Sequence, residues 1–150
     1  MTAEEVAIRV VVFRLGGELH ACDVRRVEEV VEGARVHTLP DVPPPVLGVI
    51  RLRGALLPVL DVAPALGLRL AAGGTLAVLV VERGDDHVGV AVDEVREVAA
   101  LPASAIQAAP LRDDEEHVTG VARIEGRLVA LLDLAPLIGE TTNQTTRETP

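Results

Sequence analysis

The chain has 150 residues, a formal net charge of −9 and a single aromatic residue, Phe13. That length holds one ordinary domain, or two small ones sharing an interface, and folding buries about 70% of the unfolded surface. The acidity excludes sequence-independent binding to phosphate backbones or anionic membranes, and one aromatic ring provides no stacking platform for single-stranded nucleic acid.

In chain order, a Val-rich strand is expected over 6–15, a hairpin turn at Gly16-Gly17 and a return strand over 19–22. Val24, Val27, Val30 and Val31 then fall at spacings of three and four, the stripe of a short helix or irregular turn that Asp23 caps and Gly33 ends. Pro40, Pro43, Pro44 and Pro45 stiffen a surface loop. A second hairpin follows, with strands over 49–53 and 56–60 around a Gly54-Ala55 turn. Alternation sets Ile50 and Leu52 on one face and Arg51 and Arg53 on the other. Pro58 argues for an edge strand or a bulge, and Asp61 caps one helical turn over 62–66 that Gly67 terminates. Strands over 75–82 and 88–92 around Arg83-Gly84-Asp85-Asp86, the stripe Val92, Val95, Val98, and strands over 118–124 and 128–132 complete the pattern, with Asp133 capping a last turn. The polar tail 140–150 is read as disordered.

The order of signals repeats because the sequence does. GVIRLRGALLPVLDVAPALG at 48–67 and GVARIEGRLVALLDLAPLIG at 120–139 align without a gap at an offset of 72, with ten of twenty positions identical. Upstream, Gly16/Gly84, Val24/Val92, Val27/Val95, Glu29/Glu97 and Val30/Val98 match at an offset of 68. The expected architecture is therefore all-β: one domain over 1–139 made of two pseudo-symmetric halves, near 6–67 and 75–139, each a small antiparallel barrel with short helical turns. Strand-rich packing suits a core that Val, Leu, Ile and Ala must fill. Cys22 excludes an internal disulfide and reads as a small buried hydrophobe. Acids stand where a signal peptide would carry positive charge, and no uncharged apolar run reaches the ~18 residues of a membrane span, so a soluble cytoplasmic protein is expected.

No pattern of catalysis emerges. His20, His37, His87 and His117 lack paired metal spacing, and none neighbours a Ser or Cys nucleophile in sequence. Asp113-Asp114-Glu115-Glu116-His117 lacks the alternating ligands of a calcium loop and reads as a solvated acidic loop. The glycines lack the fingerprints of phosphate or dinucleotide loops, and Arg83-Gly84-Asp85 reads as a hairpin turn. No enzyme, cofactor or metal is expected. The arginines carry more information. Arg51 and Arg123 match across the repeat, whereas Arg53 stands opposite Glu125. Departures from symmetry mark different work, so Arg53 is read as a protein-contact anchor, the alternative being an ordinary exposed strand arginine.

Gly48-Val49-Ile50-Arg51-Leu52-Arg53-Gly54 with Leu57-Pro58-Val59-Leu60-Asp61-Val62, the segment 23–30 (DVRRVEEV) and Leu131-Leu132-Asp133-Leu134 resemble the CheW family, adaptors of bacterial chemotaxis arrays, over about residues 8–138. The resemblance implies two five-stranded SH3-like β-barrels related by a pseudo-twofold axis, and no catalytic activity. It implies as partners the cytoplasmic tip of a chemoreceptor (methyl-accepting chemotaxis protein) and the regulatory domain of the histidine kinase CheA. It carries the family's coupling arginine to Arg53, its acidic position to Glu29 and its apolar receptor contacts to Val27 and Val30; Val95 joins them in a groove between barrels that would take a receptor hairpin. Two positions depart from the family: Arg51 replaces the usual Asn, and His20 a frequent aromatic residue. The same domain serves type IV pilus and other chemosensory-like pathways, which is the alternative reading.

Overall fold

The computed structural model describes residues 7–71, 75–108 and 117–139. The acids at 113–116 and the tail at 140–150 lie outside them. The strands are β1 (Ala7–Leu15), β2 (Glu18–Asp23), β3 (Val27–Ala34), β4 (His37–Thr38), β5 (Val46–Leu52), β6 (Ala55–Leu60), β7 (Leu76–Arg83), β8 (Asp86–Val92), β9 (Glu94–Pro102), β10 (Ile106–Gln107), β11 (Val118–Ile124) and β12 (Arg127–Leu132). Among the described residues one five-residue helix, α1 (Leu134–Ile138), starts at Asp133, whose carboxylate accepts the Ala135 N–H at 3.1 Å. Asp61 receives the Ala63 N–H in the same way before a 3₁₀ turn at Ala63–Leu66. The fold is all-β, in two curled sheets of five full-length strands plus one two-residue strand each.

The strand order departs from two consecutive barrels. One sheet runs β10-β11-β12-β2-β1-β9 and the other β3-β7-β8-β6-β5-β4. Each repeat therefore places its first hairpin in the sheet built by the other repeat. The halves 6–67 and 75–139 are units of sequence but not of structure. The chain leaves the first sheet through the 3₁₀ turn Val24–Arg26 and returns to it at Asp93. Each exchanged hairpin pairs antiparallel on one side, β1 with β9 and β7 with β3, and is anchored on the other by a short parallel pairing: Ala130↔His20 and Leu131↔Ala21 in one sheet, Val59↔Gly89 and Leu60↔Val90 in the other. Leu131/Val59 are related by 72 and Ala21/Gly89 by 68, so the two anchors are copies of one contact.

Three clusters fill the interior. Val10, Val12, Ala21, Ala122, Val129 and Leu131 pack within the first sheet, and Ile50, Leu57, Val59, Val78, Val80 and Ala91 within the second. The third and largest lies between the sheets and draws on both, with Phe13, Leu15, Cys22, Leu79, Val81 and Val90 among its members. Phe13, 1% exposed, and its repeat mate Val81 both sit in this shared cluster. Cys22 is buried there too, which pushes its thiol up to about 12, with Asp23 adding to the rise.

Local corrections follow from strand pairing. The stripe Val24, Val27, Val30, Val31 is helical only over Val24–Arg26; from Val27 it is strand β3, and Val95 and Val98 likewise lie in β9. The pairing of β3 with β7 shifts between Val27 and Glu29 and again between Val31 and Ala34. Each bulge inserts a residue, so strand alternation mimics a spacing of three. Pro58 sits on a central strand, not an edge: β6 pairs with β5 along its length, and with β8 only from Val59 onward. Gly48 and Gly120, identical across the repeat, face the backbone of a two-residue strand so closely that an added Cβ would stand 2.2 Å from the His37 carbonyl oxygen and 2.8 Å from that of Gln107.

Two outcomes test this architecture. Because each sheet needs a hairpin from the other repeat, a fragment ending at residue 71 or starting at 75 is predicted not to fold alone, whereas the two co-expressed associate into a folded complex by circular dichroism. A fragment that folds cooperatively by itself would contradict the exchange. The second concerns His20, 5% exposed and stacked on Phe13 with ring centroids 6.1 Å apart. Burial holds its imidazole below the ordinary value of 6.5, against an upward pull from Glu18, while His117 adds to the lowering. Below pH ~6.5 the unfolded chain therefore binds this proton more readily than the folded one, so stability is lost as the pH falls through that range. His20→Val, which installs the residue of the matching position Val88, is predicted to shrink the stability difference between about pH 5 and pH 7.5 in denaturant titrations. An unchanged difference would mean that His20 is not its source.

Candidate partner-binding site

The β5–β6 hairpin closes with two residues, Arg53 and Gly54, both at positive φ (48° and 82°). Its repeat mate closes identically at Glu125 and Gly126, at 51° and 79°. Two-residue connections of this kind match the twist of paired strands, and they require the left-handed region at both positions. Arg53 is thus a turn residue, not the end of a strand whose face it shares with Arg51. Its left-handed backbone costs roughly 1–2 kcal/mol. Because Glu125 carries the same conformation, the strain belongs to the hairpin and only the side chain distinguishes the two tips.

The Arg53 guanidinium donates to the Glu29 carboxylate at 2.5 Å, across the end of the second sheet. Arg53 keeps 68% of its side chain exposed and Glu29 31%. The pair borders a groove of about 780 Å³ whose wall includes Glu28, Leu56, Leu57, Val80 and His87. Leu56 is 61% exposed, and its repeat mate Leu128 64%. Both large aliphatic side chains are held out at matching hairpins and add little to the core.

The other sheet has a groove built from the same positions. Val12, Leu19, Arg96, Glu97, Glu125 and Val129 line about 140 Å³ there. They correspond to Val80, His87, Glu28 and Glu29 at an offset of 68, and to Arg53 and Leu57 at 72. One mouth therefore carries an Arg53–Glu29 bridge where the other sets Glu125 and Glu97. The scaffold is shared and the charge is not.

The five residues singled out from sequence fall into two places. Glu29 and Arg53 meet at the mouth of the second sheet. Val27 and Val30 on β3 and Val95 on β9 are partly buried against the cluster between the sheets. Val95 also lines a small cleft with Glu32, Leu76 and Asp93. Sequence reasoning missed Leu56 and Leu128, although their identity across the repeat was visible, because exposure of an apolar strand residue depends on pairing that spacing does not reveal. Among the described residues no helix is long and apolar enough to cross a membrane.

Comparison with known proteins agrees with this geometry. The family model for the CheW-like domain matches residues 9–142. The chemotaxis protein CheW of Rhizobium meliloti (strain 1021) is 33% identical over 128 residues, 83% of each protein, and that of Bacillus subtilis (strain 168) is 28% identical over 149 residues, 96% of each. The crystal structure of the scaffolding protein TtCheW from Thermoanaerobacter tengcongensis superposes with a TM-score of 0.75 at 28% identity, covering 88% of this chain and 92% of that one. The protein PilI of Pseudomonas aeruginosa shares 40% identity over a shorter stretch of 84 residues, 55% of this chain and 47% of its own. The motif around Arg53, the two exchanged-hairpin sheets and the family model over nearly the whole chain agree: the chain belongs to the CheW family.

Proposed function

We propose that this chain is a non-catalytic adaptor that couples the cytoplasmic tips of chemoreceptors to the histidine kinase CheA in a chemosensory array. The observation that carries the reading is the unequal chemistry of two equivalent mouths: Arg53 bridged to Glu29 at one, Glu125 and Glu97 at the other. An adaptor between unlike partners needs unlike surfaces, and a mouth whose charge its repeat mate does not share supplies one that is distinct from the junction of the sheets.

In this reading the receptor's helical hairpin lays an apolar stripe along the junction of the sheets, where Val27, Val30 and Val95 lie. The kinase's regulatory domain docks on the mouth that bears Arg53 and Leu56. Covering an aliphatic side chain such as Leu56 contributes up to about 1.5–3 kcal/mol, whereas Arg53 orients the partner and speeds encounter. Weak contacts at two faces suffice, since an array multiplies them through avidity. The match to PilI favours a second reading, the same adaptor role in a type IV pilus pathway.

Arg53→Asn separates contact from folding, because Asn tolerates the left-handed turn that Arg53 occupies. The exposed Arg53–Glu29 bridge is worth about 0–1 kcal/mol to the fold, so the variant is predicted to unfold within ~1 kcal/mol of wild type. Its affinity for a CheA regulatory fragment should fall about tenfold or more, ~1.4 kcal/mol, with binding to a receptor tip fragment retained. Equal kinase affinity in wild type and variant would remove Arg53 from the contact. Failure of the wild type to bind either fragment would refute the chemoreceptor–CheA reading.

A further inference from the structure

We propose that Glu28, Glu82 and His87 form a binding site for a borderline divalent cation, Zn²⁺ foremost, at the mouth of the second sheet. The three side chains come from adjacent strands β3, β7 and β8, and their ligand atoms all lie within 4.8 Å of one another. Register explains the convergence. Glu82 and His87 are direct cross-strand partners, next to the Val81↔Val88 pair. Glu28 is the residue skipped where the β3–β7 pairing shifts between Val27 and Glu29. Bulges re-aim side chains, and this one brings Glu28 Oε1 to 3.0 Å from His87 Nε2.

The ligand set selects the ion. Imidazole nitrogen with two carboxylates suits Zn²⁺ and its borderline neighbours; Mg²⁺ and Ca²⁺ prefer oxygen alone. Ligand atoms around tetrahedral Zn²⁺ at bond lengths of about 2.0–2.2 Å stand roughly 3.3–3.6 Å apart. Exposed side chains reach that spacing by small rotamer adjustments, without backbone movement. Three protein ligands leave a fourth position for water or a donor from a docked partner.

Charge and symmetry supply the remaining argument. Two carboxylates converge here, while the arginines that line the same groove are engaged elsewhere: Arg53 with Glu29, and Arg83 with the Ile138 carbonyl at 3.0 Å. A cation would neutralise what these arginines leave uncompensated. At the matching mouth an offset of 68 replaces Glu28, Glu82 and His87 by Arg96, Arg14 and Leu19. Every ligand is lost there, and Arg14 instead pairs with Glu94. The donor set is thus a property of one mouth and not of the shared scaffold. Sequence spacing conceals it because the three ligands sit on three strands, two of them from the second repeat.

The test is calorimetric titration of the metal-free full-length chain with ZnCl₂, beside His87→Leu, Glu28→Gln and the control His37→Ala. Leucine is what the matching position already carries, so His87→Leu should fold; its thermal melt without metal checks this. The site predicts one saturable Zn²⁺ per chain and a Zn²⁺-dependent rise in the melting temperature. Removing a ligand should weaken binding by more than about tenfold, since outer-shell partners alone contribute 10–100-fold. His37→Ala should bind like wild type, and MgCl₂ should neither bind comparably nor shift the melt. The proposal is overturned by no saturable binding, by binding that His87→Leu leaves intact, or by equal binding of Mg²⁺.

Discussion

The structure depends on the exchange of one hairpin between the two repeats. Each curled sheet is completed by two strands from the other half of the chain, held on one side by a parallel pairing only two residues long and on the other by a longer antiparallel ladder, β1 with β9 and β7 with β3. Parallel neighbours need a long crossover, and here β6 reaches β8 by way of the 3₁₀ turn and β7, while β2 and β12 are separated by most of the chain. The exchange also creates the largest apolar cluster, since β1 with β2, and β7 with β8, turn one face into their adopted sheet and the other toward the space between sheets. Two half-sized barrels of some seventy residues would each have a marginal core. Interlocked, they share one.

That interlocking leaves the mouths free to diverge. The hairpins at Arg53-Gly54 and Glu125-Gly126 keep the same backbone because strand twist demands it. Leu56 and Leu128 are held out alike. The charges do not follow the symmetry: Arg53 corresponds to Glu125, Glu28 to Arg96 and His87 to Leu19. Apart from Leu19, which packs against the first sheet's cluster, none of these positions is a core residue, so they are free to specify partners or a ligand at little cost to the fold. The residues that must agree, such as Gly48 and Gly120 against their short neighbouring strands, do agree.

Much of this was legible in the sequence. The offsets of 68 and 72 reveal the duplication, the hairpin positions, the caps at Asp61 and Asp133, and the asymmetry at Arg53. The strand partners were not legible, because alternation says which face is buried and nothing about which repeat buries it. The short helix or irregular turn expected from Val24, Val27, Val30 and Val31 is a 3₁₀ turn over Val24–Arg26, capped by Asp23; past it, the bulge between Val27 and Glu29 gives strand β3 the spacing of a helix. The candidate site divided in two for the same cause. Glu29 and Arg53 meet because the hairpin tip folds over the β3 edge, while Val27, Val30 and Val95 turn toward the core between the sheets. A linear motif lists these residues together and cannot tell its two faces apart.

The central claim is that hairpin exchange makes two sheets one cooperative unit. Native-state hydrogen exchange, read at the amides of β2 in one sheet and β8 in the other, tests it most directly. Interlocked sheets predict that the slowest amides of both strands exchange only through the same global opening, with equal free energies and equal denaturant dependence. Opening of one sheet at a markedly lower free energy, with the other still protected, would contradict it.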